Sequence, residues 1–271
     1  MRAAVKKPGA LNRRAALFLD VDGTLLEIAP RPDLVSVPPG LPALIERCAR
    51  ARGGALALVS GRPVVDLDRL FRPWRGAAAG LHGIERRGAD GVLRRIPLGD
   101  GAAALDRIRP RLFALAQQIP GLLVEDKGAT VALHYRAVPQ SEPAVIAAAT
   151  ALLPPALRLI PGKMVVEFQP RAGNKGAAVA AFLDEPPFLD RPPVYLGDDT
   201  TDEDGFAEVN RRGGLSILVG PQRDTAATHR LASVAAALAW LAGAADLPAK
   251  QAPEGNDPSL VNVLQKGKKR G

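Results

Sequence analysis

Two aspartate clusters, far apart in the 271-residue chain, hold the side chains best suited to chemistry. Asp20 and Asp22 lie in Leu17-Phe18-Leu19-Asp20-Val21-Asp22-Gly23-Thr24-Leu25. Asp198, Asp199 and Asp202 lie in Gly197-Asp198-Asp199-Thr200-Thr201-Asp202. Each cluster follows an apolar run that reads as a buried strand, at 15–19 and at 193–196. Carboxylates at the ends of buried strands repel one another and cost desolvation energy unless a cation neutralises them. In an open α/β sheet the carboxyl ends of the strands are also where ligands bind. These placements point to a magnesium site that handles phosphate, with one aspartate as nucleophile. Read alone, Asp20 and Asp22 could also cap a turn, because Asp-Gly dipeptides are common turn formers.

The elements that must position these residues alternate along the chain. Strands are expected at 15–19, 55–59 and 76–81, with helices at 41–51 and 63–71. Pro63 sits at the first turn of the second helix, where its missing N–H does no harm. Further on come a helix at 175–183, a strand at 193–196, a helix at 202–209, a strand at 215–219 and a helix at 226–241. Such alternation predicts an α/β, Rossmann-like core, a parallel sheet with helices on both faces.

Between these halves the rhythm changes. A helix at 102–118 precedes strands at 122–125 and 130–136, with a turn at Asp126-Lys127-Gly128. A helix at 142–153 then precedes strands at 157–160 and 164–168, with a turn at Pro161-Gly162. Two helix–hairpin units predict an antiparallel sheet with its helices on one face, an inserted α/β cap domain. The expected organisation is a discontinuous core at 1–100 and 170–246, the cap at 101–169, and a disordered basic tail at 247–271. The first ten or so residues are also expected to be disordered. Period two turns Val131, Leu133 and Tyr135 one way, and Thr130, Ala132, His134 and Arg136 the other. Glu125, Lys127, His134, Arg136 and Glu167 form a polar set, either one hydrogen-bonding surface or the solvated outer face of an ordinary antiparallel sheet.

Composition excludes several classes. The net charge of +8 suits an anionic substrate or a solvated surface. With 4% aromatic residues and no basic stripe carrying stacking aromatics, nucleic-acid binding has no support. No apolar stretch is as long as a membrane span, and the basic start lacks the long apolar region of a secretory signal. Cys48, the one cysteine, rules out an intrachain disulfide and fits a reducing compartment, the cytoplasm. Its surroundings suggest a small buried hydrophobe.

In sequence order, Asp20 to Thr24, Ser60 in Val59-Ser60-Gly61-Arg62, Lys175 in Gly173-Asn174-Lys175-Gly176, and Gly197 to Asp202 resemble the four motifs of the haloacid dehalogenase superfamily. In isolation Ser60-Gly61 would read as a loop and Lys175 as a solvated helix-start lysine. More specific matches resemble the trehalose-6-phosphate phosphatases. They are the run from Asp20 to Asp33, Gly80-Leu81-His82-Gly83-Ile84-Glu85, and Gly162-Lys163-Met164-Val165-Val166-Glu167-Phe168. The resemblance implies a magnesium-dependent phosphoric monoester hydrolase that cleaves trehalose 6-phosphate through an aspartyl phosphate. It implies Asp20 as nucleophile, Asp22 as general acid and base, and Ser60 and Lys175 on the transferring phosphoryl group. Magnesium would take Asp20, the Asp22 main-chain carbonyl and Asp198, with Asp199 and Asp202 in support. Glu125, Lys127 and Glu167 would bind sugar hydroxyls, with Arg62 and His82 lining the same site. Gln169 departs from the family, where a basic residue is commoner. A functional coupling to a trehalose-6-phosphate synthase is expected, and no membrane partner. A related sugar phosphatase, acting for example on sucrose phosphate, and a non-catalytic sugar-phosphate-binding regulator are the alternatives.

Overall fold

A computed structural model of the chain describes residues 6–245. Among these, one sheet of eight strands runs in the order β12-β11-β10-β1-β2-β3-β4-β5. Its centre is β10 (Pro193–Gly197), β1 (Ala16–Leu19) and β2 (Leu56–Val59), every residue of which is buried. Strands buried on both faces read as continuous apolar runs, which is why these three stood out in the sequence. Leu17 and Leu19 pack into a core with α1 (Leu41–Arg50), α2 (Val64–Leu70) and α7 (Val234–Ala245). Ala16 and Phe18 point the other way, against α5 (Lys175–Leu183) and α6 (Glu203–Arg211). Helices therefore cover both faces of the sheet, as expected.

The sheet is mixed rather than wholly parallel. From β12 (His229–Leu231) through β11 (Leu215–Val219) to β3 (Ala77–Gly80) the pairing is parallel. β4 (Glu85–Arg87) and β5 (Leu93–Arg95) then add an antiparallel hairpin at the edge. Mostly charged, these strands carry no apolar strand pattern: β5 is an exposed edge, where charge is usual, and in β4 the buried Glu85 and Arg87 are paired with Arg95 and Asp68. The helix expected at 226–241 begins later, at Val234. Its predicted start is β12, whose His229, Arg230 and Leu231 pair with β11. Of the first ten residues, expected to be disordered, 1–5 lie outside the described residues, and 6–10 make defined contacts. Lys6 bridges to His229, and the Gly9 carbonyl accepts the Trp240 indole N–H at 2.7 Å. The predicted tail falls outside the described residues.

Residues 100–170 build a second, four-stranded antiparallel sheet in the order β6-β7-β9-β8. The strands are β6 (Leu123–Asp126), β7 (Val131–His134), β8 (Leu157–Gly162) and β9 (Val165–Pro170). α3 (Asp100–Gln118) and α4 (Glu142–Leu152) cover one face, over Val131, Leu133, Tyr135, Val166 and Phe168. The opposite face is turned to the main sheet and completes an α/β core-plus-cap architecture. The second hairpin turns at Lys163-Met164, not at Pro161-Gly162. Pro161 lies within β8, an edge strand where its missing N–H is not needed. Met164 takes the left-handed conformation, φ 59°.

Candidate active site

The carboxyl ends of β1 and β10 bring the two aspartate clusters together. Asp20, Asp198 and Asp202 present carboxylate oxygens all within 4.8 Å of one another, and all three residues are buried. Lys175 opens α5, beside Asn174, whose side chain caps the helix by accepting the Ala177 N–H at 2.6 Å. The Lys175 ammonium lies 2.8 Å from Asp20 Oδ1 and 2.6 Å from Asp202 Oδ1. The Thr24 hydroxyl donates to Asp20 Oδ2 at 3.0 Å. Asp202 is the fixed member: its carboxylate also accepts from the Tyr195 hydroxyl at 2.8 Å and from the N–H groups of Asp198 and Asp199 at 2.9 and 3.1 Å. Gly23 holds φ +84°, and a Cβ there would fall 2.0 Å from Asp198 Oδ2. The glycine thus serves both the turn and the close approach of the two clusters.

The electrostatics of this floor are strongly perturbed. Burial, then repulsion by Asp202, raises the Asp20 carboxyl well above its usual range despite Lys175. Asp198 is pushed up to about 6 by burial and by Asp202, against the pull of Lys163. Burial alone would lower Lys175, but Asp20 and Asp202 outweigh it and its pKa rises. Three buried carboxylates are met by one buried ammonium, Lys175, and one half-exposed one, Lys163, so one negative charge is left over. An all-oxygen donor set of this kind fits a hard divalent cation such as magnesium.

The other expected residues surround this floor. Asp22 is turned to Arg62, which grips it with two 2.7 Å hydrogen bonds. The Asp199 carboxylate accepts the Thr200 N–H at 2.6 Å and lies outside the three-carboxylate group. Ser60 follows β2, buried, its Oγ accepting the Arg62 N–H at 3.1 Å.

The second sheet supplies the roof. Lys127 leans from the β6–β7 turn, with its ammonium 3.0 Å from Glu167 Oε2 and 3.9 Å from Glu125 Oε2. It also donates to the Gly61 carbonyl below at 3.3 Å. His134 meets Glu125 at 2.8 Å. Burial opposes each of these charges, but pairing outweighs it. Glu167 is held well below the carboxylate range by Lys127 and His82, Glu125 is lowered by His134 and Lys127, and Lys127 is raised by the two glutamates. A solvated outer face is thereby excluded, since Glu167 is 6% exposed and Gln169 fully buried.

His82 belongs to three consecutive residues with positive φ, Leu81 to Gly83. It sits 3.5 Å from Glu167 Oε2, and burial pushes its pKa down, against the opposing pull of Glu167. Glu85, the last residue of its motif, accepts the Val64 N–H at 3.0 Å and so anchors the start of α2 behind Arg62. At Gln169, the guanidinium of Arg158 from the neighbouring strand reaches both the Gln169 amide oxygen and the Gly173 carbonyl.

Lys163 carried no role in the sequence reading, and Arg136 only a place in the cap's polar set. Lys163, at the β8–β9 turn, lies 2.5 Å from Asp198 Oδ2. Arg136 donates to the Lys163 carbonyl at 2.8 Å and to that of Ala29. Misplacing the turn hid Lys163; with the turn at 163–164, its reach toward the floor follows. All the expected polar side chains except Asp202 line one open cleft between the two sheets.

Comparison with known proteins places this geometry in a family. The trehalose-phosphatase family model matches residues 18–235. A trehalose-6-phosphate phosphatase of Escherichia coli K12 is 47% identical over 233 residues, covering 85% of this chain and 86% of the relative. A probable trehalose-phosphate phosphatase of Sinorhizobium fredii is 48% identical over 209 residues, covering 76% and 78%. The solved C-terminal domain of the C. albicans trehalose-6-phosphate phosphatase superposes with a TM-score of 0.79 over 92% of this chain and all of that one. At 20% identity this is a likeness of fold. With a family model over most of its length and nearly half its aligned residues shared with both bacterial relatives, the chain belongs to the trehalose-phosphatase family, which are phosphoric monoester hydrolases.

Proposed function

We propose that the chain hydrolyses trehalose 6-phosphate to trehalose and inorganic phosphate through an aspartyl phosphate on Asp20. The observation that carries the reading is the pairing of a phosphate-type floor with a sugar-type roof across one cleft. Asp20 and Lys175 lie on one side, and Glu125, Lys127 and Glu167 on the other. Glucose hydroxyls need donors and acceptors together, which a Glu–Lys–Glu set supplies. The segment 101–169 acts as the cap over the core, excluding water and using sugar contacts to position the phosphate.

Asp20 Oδ attacks phosphorus, and the bond from phosphorus to the sugar oxygen breaks. Asp22, released from Arg62 and protonated, donates its proton to the leaving oxygen. Water then attacks phosphorus, Asp22 takes the water proton, and the bond to Asp20 breaks. Lys175 and Ser60 hold the phosphoryl oxygens, while Arg62 steers Asp22 and His82 backs Glu167. Magnesium, held by Asp20, the Asp22 main-chain carbonyl and Asp198, with Asp199 and Asp202 in support, would neutralise the cluster and offset charge on the phosphoryl oxygens.

No described helix is long and apolar enough to cross a membrane. The lone, buried Cys48 supports a reducing, cytoplasmic setting. A synthase that makes trehalose 6-phosphate would supply the substrate. The test is phosphate release from a panel of sugar phosphates with purified protein and magnesium. Trehalose 6-phosphate should lead the panel, chelator should stop turnover, and Asp20→Asn should abolish it with the fold intact. Preference for sucrose phosphate, or no release from any sugar phosphate, would overturn the reading.

A further inference from the structure

Between β9 and α5 the chain crosses from the roof to the floor in four residues, Arg171 to Asn174. Lys175 follows at once. Whatever fixes this crossing therefore also fixes the ammonium that meets Asp20 and Asp202. On the core side the crossing is packed backbone against backbone. A Cβ on Gly83 would fall 2.5 Å from the Asn174 carbonyl oxygen, and one on Gly176 would fall 2.4 Å from that of Asp204.

On the cap side the crossing is held by side chains. Arg158 and Gln169 are direct partners in the β8–β9 ladder, so they share one face of the sheet. Glu167, two residues before Gln169, lies on that face as well. The Gln169 amide nitrogen donates to the Gly173 carbonyl at 3.2 Å. Arg158 Nη2 carries two hydrogens. It donates to the same carbonyl and, at 3.2 Å, to the Gln169 amide oxygen. The three groups close a ring at the crossing, with the guanidinium as its one charged donor, and a charged donor makes the stronger hydrogen bond. The Asp204 carboxylate stands 3.9 Å from the other terminal nitrogen and is half exposed. Arg158 does not line the cleft that holds Asp20 and Glu125, so its influence there runs through the backbone it holds.

We propose that Arg158 is a positioning residue for Lys175: its grip on the Gly173 carbonyl fixes the crossing from cap to core, and with it the place of the ammonium that meets the phosphoryl group. The proposal rests on the phosphatase reading above. A displaced Lys175 stabilises less of the charge on the transferring phosphoryl oxygens, whatever alcohol carries the phosphate. The loss therefore falls on kcat and on every phosphate ester alike, unlike the loss from a sugar-binding residue.

The test moves the cation from one strand to the other. Arg158→Ala should lower kcat at least about ten-fold on trehalose 6-phosphate and on a small aryl phosphate alike, at saturating magnesium. Arg158→Lys, which keeps the charge but loses the fork, should fall between it and wild type. Gln169→Lys alone should also slow turnover, because a second cation then crowds Arg158 at one carbonyl. Combined with Arg158→Ala, Gln169→Lys returns an ammonium to the Gly173 carbonyl, and kcat on both esters should recover to within about three-fold of wild type. Amide exchange over 173–178, followed by mass spectrometry, should quicken in Arg158→Ala and slow again in the double variant. Arg158→Gln, which keeps a donor without the charge, takes the place of Arg158→Ala should the latter not fold. Wild-type kcat in the charge-removing variant, a loss confined to trehalose 6-phosphate, or a double variant no faster than Arg158→Ala would overturn the positioning role. If no protein, wild type included, releases phosphate from trehalose 6-phosphate while the aryl phosphate follows this pattern, the substrate reading falls and the positioning role stands.

Discussion

Replacing Lys127 by Met tests whether the cap rests on the core in the free protein. In the structure Lys127 and Glu167 form a 3.0 Å ion pair whose side chains are 11% and 8% exposed. Removing one partner of such a pair strands the other charge in a buried place, at about 3–5 kcal/mol. The same pair, swung into water with an open cap, would be worth at most about 1 kcal/mol. Lys127→Met should therefore cost about 3–4 kcal/mol, a fall in Tm of about 6–16 °C. Glu167→Gln should cost somewhat less, about 2–3 kcal/mol. Lys127 then still holds the Gly61 carbonyl at 3.3 Å and Glu125 at 3.9 Å. In the double variant no charge is stranded, and the total should fall short of the sum by at least about 2 kcal/mol. The assay is urea unfolding of all four proteins at pH 7 without substrate. Costs that add to within about 0.5 kcal/mol would refute the reasoning. They would mean that the pair is solvated and that the cap stands open until substrate arrives.

Acidification should expose the same pair from the other side. The folded-state pKa of Glu167 is depressed, so its stabilisation is complete above the unfolded value of about 4.3 and fades as pH falls below it. Wild type should thus lose more stability than Glu167→Gln between pH 7 and pH 3, measured by denaturant midpoints, and equal losses would count against the pairing. Gly23→Ala should raise the magnesium requirement and cut kcat/KM at least about ten-fold, roughly 1.4 kcal/mol. Its Cβ falls on Asp198 and its φ is positive; unchanged magnesium titrations would show that the clusters need not touch. Glu125→Ala, Lys127→Ala and Glu167→Ala should each lower kcat/KM for trehalose 6-phosphate by about ten- to a thousand-fold, about 1.4–4 kcal/mol. A small aryl phosphate should suffer far less in parallel kinetics, and equal losses on both substrates would move sugar selection elsewhere.

What the sequence made legible follows from burial. β1, β2 and β10 are buried on both faces and β11 nearly so, and their runs are predominantly apolar, so their positions were readable to within a residue or two. The Asp20, Lys175 and Asp198 grouping could be placed because each residue adjoins one of the core elements. β4, β5 and β12 escaped because they are mostly polar or charged and only three residues long. Pairing with an existing sheet, not local pattern, makes them strands. Lys163 escaped for a local reason: Pro161-Gly162 reads as a turn wherever the strand's place in its sheet is unknown. The grip of Arg62 on Asp22 is a contact across 40 positions that no local pattern announces.

The strand order also sets a timetable for synthesis. β1 is sandwiched between β2 and β10, and Leu17 pairs with both Leu56 and Val194. One edge of β1 therefore stays unpaired on the ribosome until the distant β10 emerges. At about 5–20 residues per second, making the roughly 180 residues between them takes about 10–35 s. Meanwhile the inserted segment, with a hydrophobic cluster of its own, emerges whole and can condense first. The nascent chain would carry a finished lid above a half-built floor, with the open flank of β1 as its point of greatest exposure to misassociation.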